Sequence, residues 1–262
     1  MDLGLQGKKA LVTASTRGLG RAVATKLAME GAHVAVCGRN SDVVDQLVRE
    51  LKERGAEANG YTVDLEHTGE LDKLIDQVKE DLGTVDILVN NSGGPKAGEL
   101  LDLTLEDWQT SFQLNLLSMV HLTASFLPGM MKSGGGRIMN IASSSIVQPI
   151  PNLLLSNTFR TGILGFTKSI ATAYGKYGII ANVIAPGRIA TDRVKDMDQV
   201  RARGKQISYE EQVKLTEQEI PLGRYGTPEE FAEAVAYFVS ERNTYMTGIS
   251  VMFDGGIVKA IS

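Results

Sequence analysis

The sequence predicts an α/β fold: a doubly wound parallel sheet of seven strands with helices on both faces. Two observations carry this. Seven short apolar runs recur along the 262 residues as continuous hydrophobic stretches rather than strict alternations, the pattern of parallel strands covered on both sides. Between them lie segments whose apolar residues repeat every three or four positions, the period of a helix with one buried stripe. Strand–helix alternation of this kind implies right-handed crossovers within one parallel sheet.

Residues 9–13 (KALVT) form the first expected strand. Leu19, Val23 and Leu27 follow as a helical stripe that Gly31 stops. Residues 33–37 and 60–63 are the second and third strands, and Leu71, Ile75 and Val78 mark a helix ending before Gly83. Residues 85–90 and 137–141 continue the sheet. Ile163, Phe166, Ile170 and Tyr174 form a further stripe that ends near Gly175 and Gly178. Residues 179–184 and 249–253 complete the seven strands. Residues 192–225 break the pattern, being rich in charge and poor in strand signal. Ser208 with Glu211 has the spacing of a capping box that opens a helix there. Such an insert is expected to act as a substrate lid, because ligand crevices lie at that edge of these sheets; the alternative is a solvated surface excursion. No internal repeat or linker appears, so one domain is expected over 1–262.

Composition narrows the function classes. The chain is 43% hydrophobic and 22% charged, ordinary for a globular protein. Its net charge of −4 argues against nucleic acid or an anionic membrane as partner, while leaving room for a small anion in a local basic pocket. Cys37 stands alone, so no intrachain disulfide is possible, and its apolar surroundings predict a buried thiol. His33, His67 and His121 lie far apart without ligand spacing, so no metal site is expected. With no run of 18 apolar residues and no basic, apolar leader, a cytoplasmic location is expected.

The first strand runs into TASTRGLG, residues 13–20, and an amphipathic helix starts near Gly18. Glycines here let the backbone approach a pyrophosphate, and the helix N-terminus offers free N–H groups and a positive dipole end. A glycine pattern between a strand and a helix is the context expected of a Rossmann-type dinucleotide site. An acid at the end of the second strand would bind a ribose 2′-OH and repel a 2′-phosphate. The sequence instead has Gly38-Arg39-Asn40 there, and Arg17 lies in the glycine loop. Two arginines without a carboxylate suit a phosphate dianion, which favours NADP(H) over NAD(H).

Five ordered motifs then resemble those of the short-chain dehydrogenase/reductase family, in its ketoreductase-like branch. Thr13-x4-Gly18-x-Gly20 resembles the glycine motif, and Asn90-Asn91-Ser92-Gly93 the Asn-Asn-Ala-Gly segment after the fourth strand. Pro186-Gly187 resembles the pair after the sixth strand, and residues 221–230 and 247–256 resemble the C-terminal signatures. By this resemblance Thr13, Ser15, Arg17, Gly18, Leu19 and Gly20 would cradle the dinucleotide. Arg39 would meet the 2′-phosphate, and Asp64 with Leu65 the adenine. Asn91, Gly93, Arg160, Pro186, Gly187 and Ile189 would hold the nicotinamide half. The family's first glycine is Ala14 here. A negative φ is expected to let the methyl group fit.

The resemblance further implies a catalytic set of Asn, Ser, Tyr and Lys. Asn115 in FQLNLLS matches the asparagine, and Ser143 in IASSS matches the serine, with Ser144 and Ser145 as neighbouring alternatives. The Tyr-x-x-x-Lys pair is replaced by Ser156-x-x-x-Arg160, spacing that keeps both on one helical face. An aliphatic hydroxyl is a far weaker acid than a phenol, and arginine stays protonated, so this pair cannot relay a proton as the family's pair does. Arg160 can still grip the nicotinamide ribose or a substrate carboxylate. Four readings follow. One is an NADP(H)-dependent oxidoreductase on a carbonyl or alcohol substrate, acyl and anionic ones included, with an atypical site; a second is a catalytically impaired NADP(H)-binding sensor or scaffold; a third is other chemistry on an anionic substrate held by Arg160; the last is a structural role without cofactor. The resemblance also implies a homotetramer or homodimer.

Overall fold

The structure is a computed structural model, and it describes residues 2–261. The apolar run KALV forms β1 (Lys9–Val12). Its alternate residues face opposite layers: Ala10 and Val12 join one core cluster, and Leu11 joins the other. β2 (His33–Gly38) and β3 (Ala58–Thr62) add on one side of β1, and β4 (Ile87–Asn90), β5 (Gly136–Ile141), β6 (Ile179–Pro186) and β7 (Ser250–Phe253) on the other. All pairings are parallel, and the order is β3-β2-β1-β4-β5-β6-β7. The chain reverses its direction of sheet growth between β1 and β4, and a crevice must open there at the strands' carboxyl ends.

Helices cover both faces. α1 (Gly18–Met29), α2 (Ser41–Glu53) and α9 (Pro228–Val239) pack on one, burying Val23, Leu27, Leu47, Leu51, Phe231 and Val235. α3 (Thr68–Leu82), α5 (Ser118–Lys132) and α6 (Leu154–Tyr174) pack on the other through Leu71, Leu74, Leu122, Phe126 and Ala171. Phe231 is fully buried, edge-on to Phe253 at 5.4 Å between ring centroids. Its truncation to alanine removes about 3–5 kcal/mol. Cys37 is buried as expected, and burial pushes its thiol up to about 12.

The sheet edges show where sequence patterning weakens. β3 begins two residues before the expected start, because Asn59 and Gly60 interrupt its apolar run on the outermost strand. α2 carries the stripe Val44, Leu47 and Leu51 and is capped by Asn40, whose side chain accepts from Val43 N at 3.1 Å. α4 (Leu105–Phe112) continues through a π-helical turn at Gln113–Leu117 into α5. By length and composition this run, Leu105–Lys132, could cross a membrane, but Leu122, Phe126 and Met130 pack against the sheet. The charged segment folds as α7 (Asp192–Lys205) and α8 (Tyr209–Glu219). The Ser208–Glu211 capping box is present, with reciprocal bonds of 2.9 and 3.1 Å.

Candidate active site

A cavity of about 470 Å³ opens at the carboxyl ends of β1, β2 and β3. Its wall includes Arg17, Gly18, Leu19, Arg39, Asp64 and Leu65. Arg17 is the N-cap of α1, no side chain caps that helix, and its first turn carries no acid. The first-turn N–H groups are therefore left for an anion. Asn40 is spent as the cap of α2, and Arg39 beside it is exposed on the crevice wall. These features fit a dinucleotide whose diphosphate meets the α1 terminus.

The turn itself departs from expectation at one atom. Ala14 sits at φ +45°, not at a negative φ. The turn between β1 and α1 needs the left-handed region whichever residue occupies it, and the methyl group costs about 1–2 kcal/mol there. Gly20 is required for a different reason: a Cβ would run into the Ala14 carbonyl and lie 2.7 Å from Asn91 Nδ2. Thr13, Ser15 and Gly20 are buried behind the loop and shape it from below. Thr13 Oγ1 donates to Asn91 O at 2.6 Å and accepts from Asn91 N at 2.8 Å. Ser15 Oγ accepts from Cys37 N at 2.8 Å, tying the loop to β2.

A second cavity, about 380 Å³, adjoins the first and shares Leu19, Asn91, Ser92 and Gly94 with it. Ser143, Ser144, Ser156 and Arg160 line it, with Pro186, Gly187 and Ile189 opposite. A buried amide chain aligns the elements that deliver them. Asn90 Nδ2 donates to Thr123 Oγ1 at 3.1 Å and to Asn140 Oδ1 at 2.8 Å, and Asn140 Nδ2 donates to Thr167 Oγ1 at 2.8 Å. β4, β5, α5 and α6 are thereby locked in register.

Arg160 is 5% exposed. Its Nη1 donates to Ile141 O at 2.7 Å, and its Nη2 to Ser92 Oγ at 3.2 Å and Gly93 O at 3.4 Å. Burial, and then the nearby charge of Arg193, bring its pKa down to about 10, so it remains a cation at neutral pH. Asn115 is fully buried in the π-helical turn, which carries its side chain to the same place. Its Nδ2 donates to Ser92 Oγ at 2.9 Å and Gly93 O at 2.7 Å. Ser156 is nearest to Ser145, with 3.5 Å between hydroxyl oxygens, whereas Ser143 caps the turn after β5 by accepting from Ser145 N at 3.2 Å. All four sequence-derived catalytic candidates thus converge on one end of the sheet, Asn115 as a buried support behind the cavity wall.

Two participants were not singled out from sequence. Ser92 was visible only as a hydroxyl in place of the motif's alanine, yet it accepts from both Asn115 and Arg160. Arg193, on the first turn of α7, lines both cavities and donates to Pro95 O at 3.2 Å. Its guanidinium lies where a Cβ on Gly94 would be, so only glycine permits that packing.

Residues 13–258 match the family described as enoyl-(acyl carrier protein) reductase. The chain is 36% identical over 260 residues to the 3-oxoacyl-(acyl-carrier-protein) reductase FabG of Aquifex aeolicus, covering 98% of this chain and all of that one. It is 35% identical over 254 residues to dehydrogenase/reductase SDR family member 4 of Caenorhabditis elegans, covering 96% and 95%. Among solved structures, L-sorbose reductase of Gluconobacter frateurii, complexed with NADPH and L-sorbose, superposes with a TM-score of 0.95 at 32% identity over the whole of both chains. With the parallel seven-stranded sheet, the crevice at its switch point and the ordered motifs, the chain belongs to the short-chain dehydrogenase/reductase family, on its 3-oxoacyl-(acyl-carrier-protein)-reductase-like side.

Proposed function

We propose that this protein is an NADP(H)-dependent oxidoreductase of the ketoreductase type, acting on a carbonyl or alcohol substrate through an atypical site. The observation that carries the reading is the arrangement around Arg160. A buried guanidinium and the hydroxyls of Ser143 and Ser156 line one cavity, and that cavity adjoins the dinucleotide crevice. Bound there, NADPH would supply the hydride. Arg17 and Arg39 would hold its 2′-phosphate, the α1 N-terminus would receive its diphosphate, and Asp64 and Leu65 would meet the adenine.

The chain's own residues then polarise and orient. Ser143 and Ser156 donate hydrogen bonds to the substrate oxygen, and the fixed cation of Arg160 stabilises negative charge developing on it. Water supplies the proton, because neither a serine hydroxyl nor an arginine is a practical acid at neutral pH. The missing phenol lowers the rate by about 10²–10⁴-fold without removing the reaction. Residues 192–225 act as a lid on the second cavity, and the assembly is a homotetramer. The competing reading, a dinucleotide-binding sensor without turnover, draws on Arg160 spending both terminal nitrogens on protein acceptors.

Loss of NADPH absorbance with a panel of ketones separates the two. Turnover that falls in Ser143→Ala supports the oxidoreductase. NADPH binding with no turnover on any ketone supports the sensor.

A further inference from the structure

The charge of the second cavity runs against that of the chain. The protein carries a net −4, yet four arginines, Arg160, Arg188, Arg193 and Arg201, line this cavity, against one carboxylate on its wall, Glu219. A second carboxylate, Asp198, is fully buried behind it and is divided between two of the arginines. Arg188 Nη1 lies 3.2 Å and Arg201 Nη1 3.9 Å from the same Asp198 Oδ1, while Tyr225 donates to Oδ2 at 2.7 Å. Among the described residues Arg160 and Arg193 form no ion pair, and the two cations repel one another. Of the four, Arg160 is buried, Arg193 is exposed with Asp196 near it, and Arg201 is part-exposed, so the cavity wall carries more positive than negative charge and favours an anion.

The same wall is apolar elsewhere. Val194 and Met197 project from α7 on the face that also carries Arg193 and Arg201, and Ile150 and Leu153 lie in the segment before and at the start of α6. α7 thus presents an apolar stripe bounded by guanidiniums at both ends, the complement of a molecule with an apolar body and an acid group.

The geometry points to a carboxylate-bearing carbonyl compound as the substrate class, its carboxylate held by the α7 arginines Arg193 and Arg201 and its carbonyl oxygen facing Arg160. This rests on the oxidoreductase reading for the carbonyl and on the cavity alone for the acid. The competing source of an anion is the dinucleotide's own diphosphate, because Arg193 also borders the first cavity. Arg201 borders only the second.

The test is calorimetric titration of the protein, free and saturated with NADP⁺, using two acid and ester pairs: benzoylformate and 4-oxopentanoate, each against its methyl ester. A built arginine subsite predicts that at least one acid binds about tenfold or more tighter than its ester, the scale of a charge-assisted hydrogen bond. Arg201→Gln is expected to erase most of that preference while changing NADP⁺ affinity by less than about twofold. Arg193→Gln should also erase it. Equal binding of acid and ester in both pairs, or no acid binding, overturns the proposal without recourse to any variant. Weakened NADP⁺ binding in Arg193→Gln with acid preference intact assigns that arginine to the diphosphate and overturns its place in the subsite. Failure to bind NADP⁺ at all sinks the oxidoreductase reading alone, since titration of the free protein still reads the acid preference.

Discussion

Asn115 and Arg160 donate to the same two acceptors: Asn115 Nδ2 lies 2.9 and 2.7 Å from Ser92 Oγ and Gly93 O, and Arg160 Nη2 lies 3.2 and 3.4 Å from them. Two helices are thereby pinned to the loop after β4, and the hydroxyl of Ser92 is the shared pin. Ser92→Ala removes an acceptor from both buried donors at once. Both donors keep Gly93 O, so stability should fall by about 0.5–1.5 kcal/mol in urea unfolding, the net worth of a buried hydrogen bond. A loss below about 0.5 kcal/mol would show that water replaces the hydroxyl freely.

The glycine loop makes opposite predictions at two positions. Ala14 already occupies a left-handed conformation, so Ala14→Gly relieves strain while adding freedom to the unfolded chain, and the two nearly cancel. Thermal unfolding should place this variant within about 1 kcal/mol of wild type. Gly20→Ala drives a methyl group into the Ala14 carbonyl and should cost about 1–3 kcal/mol together with most of the dinucleotide affinity. Unchanged NADPH binding in Gly20→Ala would contradict the account of the turn.

On the proposed reading Arg39, exposed on the crevice wall beside the α2 cap Asn40, sets the dinucleotide preference. Arg39→Asp replaces a phosphate partner with a group that repels phosphate and accepts from a ribose hydroxyl. The ratio of NADPH to NADH affinity should fall by about 100-fold, the effect of exchanging one charge-assisted contact for a repulsive one. An unchanged ratio would move the preference elsewhere.

The proton chemistry has a pH signature. Serine hydroxyls do not ionise in the working range, and Arg160 keeps its charge until pH approaches about 10. Its charge is therefore constant through neutral and mildly alkaline pH and adds no step of its own to the profile. Between about pH 7 and 9 the profile of kcat/KM should be flat, lacking the step that a titrating acid or base imposes. The double variant Ser156→Tyr with Arg160→Lys restores a phenol beside an ammonium and should introduce such a step. A wild-type profile with a pKa near 7 or 8 would mean that another group moves the proton.

Much of the architecture was legible because it depends on local pattern. Continuous apolar runs located all seven strands to within about two residues, since burial on both faces leaves no room for polar interruptions. The glycine loop, Arg39 and the Ser156–Arg160 pair were also legible, being set by short spacings on single elements. Ser92 and Arg193 were not. Their roles depend on which distant segments meet, Ser92 with α6 and the π-helical turn, Arg193 with Gly94, and no spacing within one element encodes those encounters. The left-handed Ala14 departs from its sequence expectation for a related reason: alanine's own preference is for negative φ, while the turn's geometry is imposed by β1, α1 and Asn91 around it.

The proposed function requires an NADPH site kept beside altered proton machinery. The most direct measurement is calorimetric titration of the purified protein with NADPH and, separately, with NADH. Micromolar binding of NADPH, much tighter than that of NADH, is expected. Binding of neither would mean that Ala14 and the rebuilt Arg160 corner have disabled the crevice, and would contradict the oxidoreductase reading.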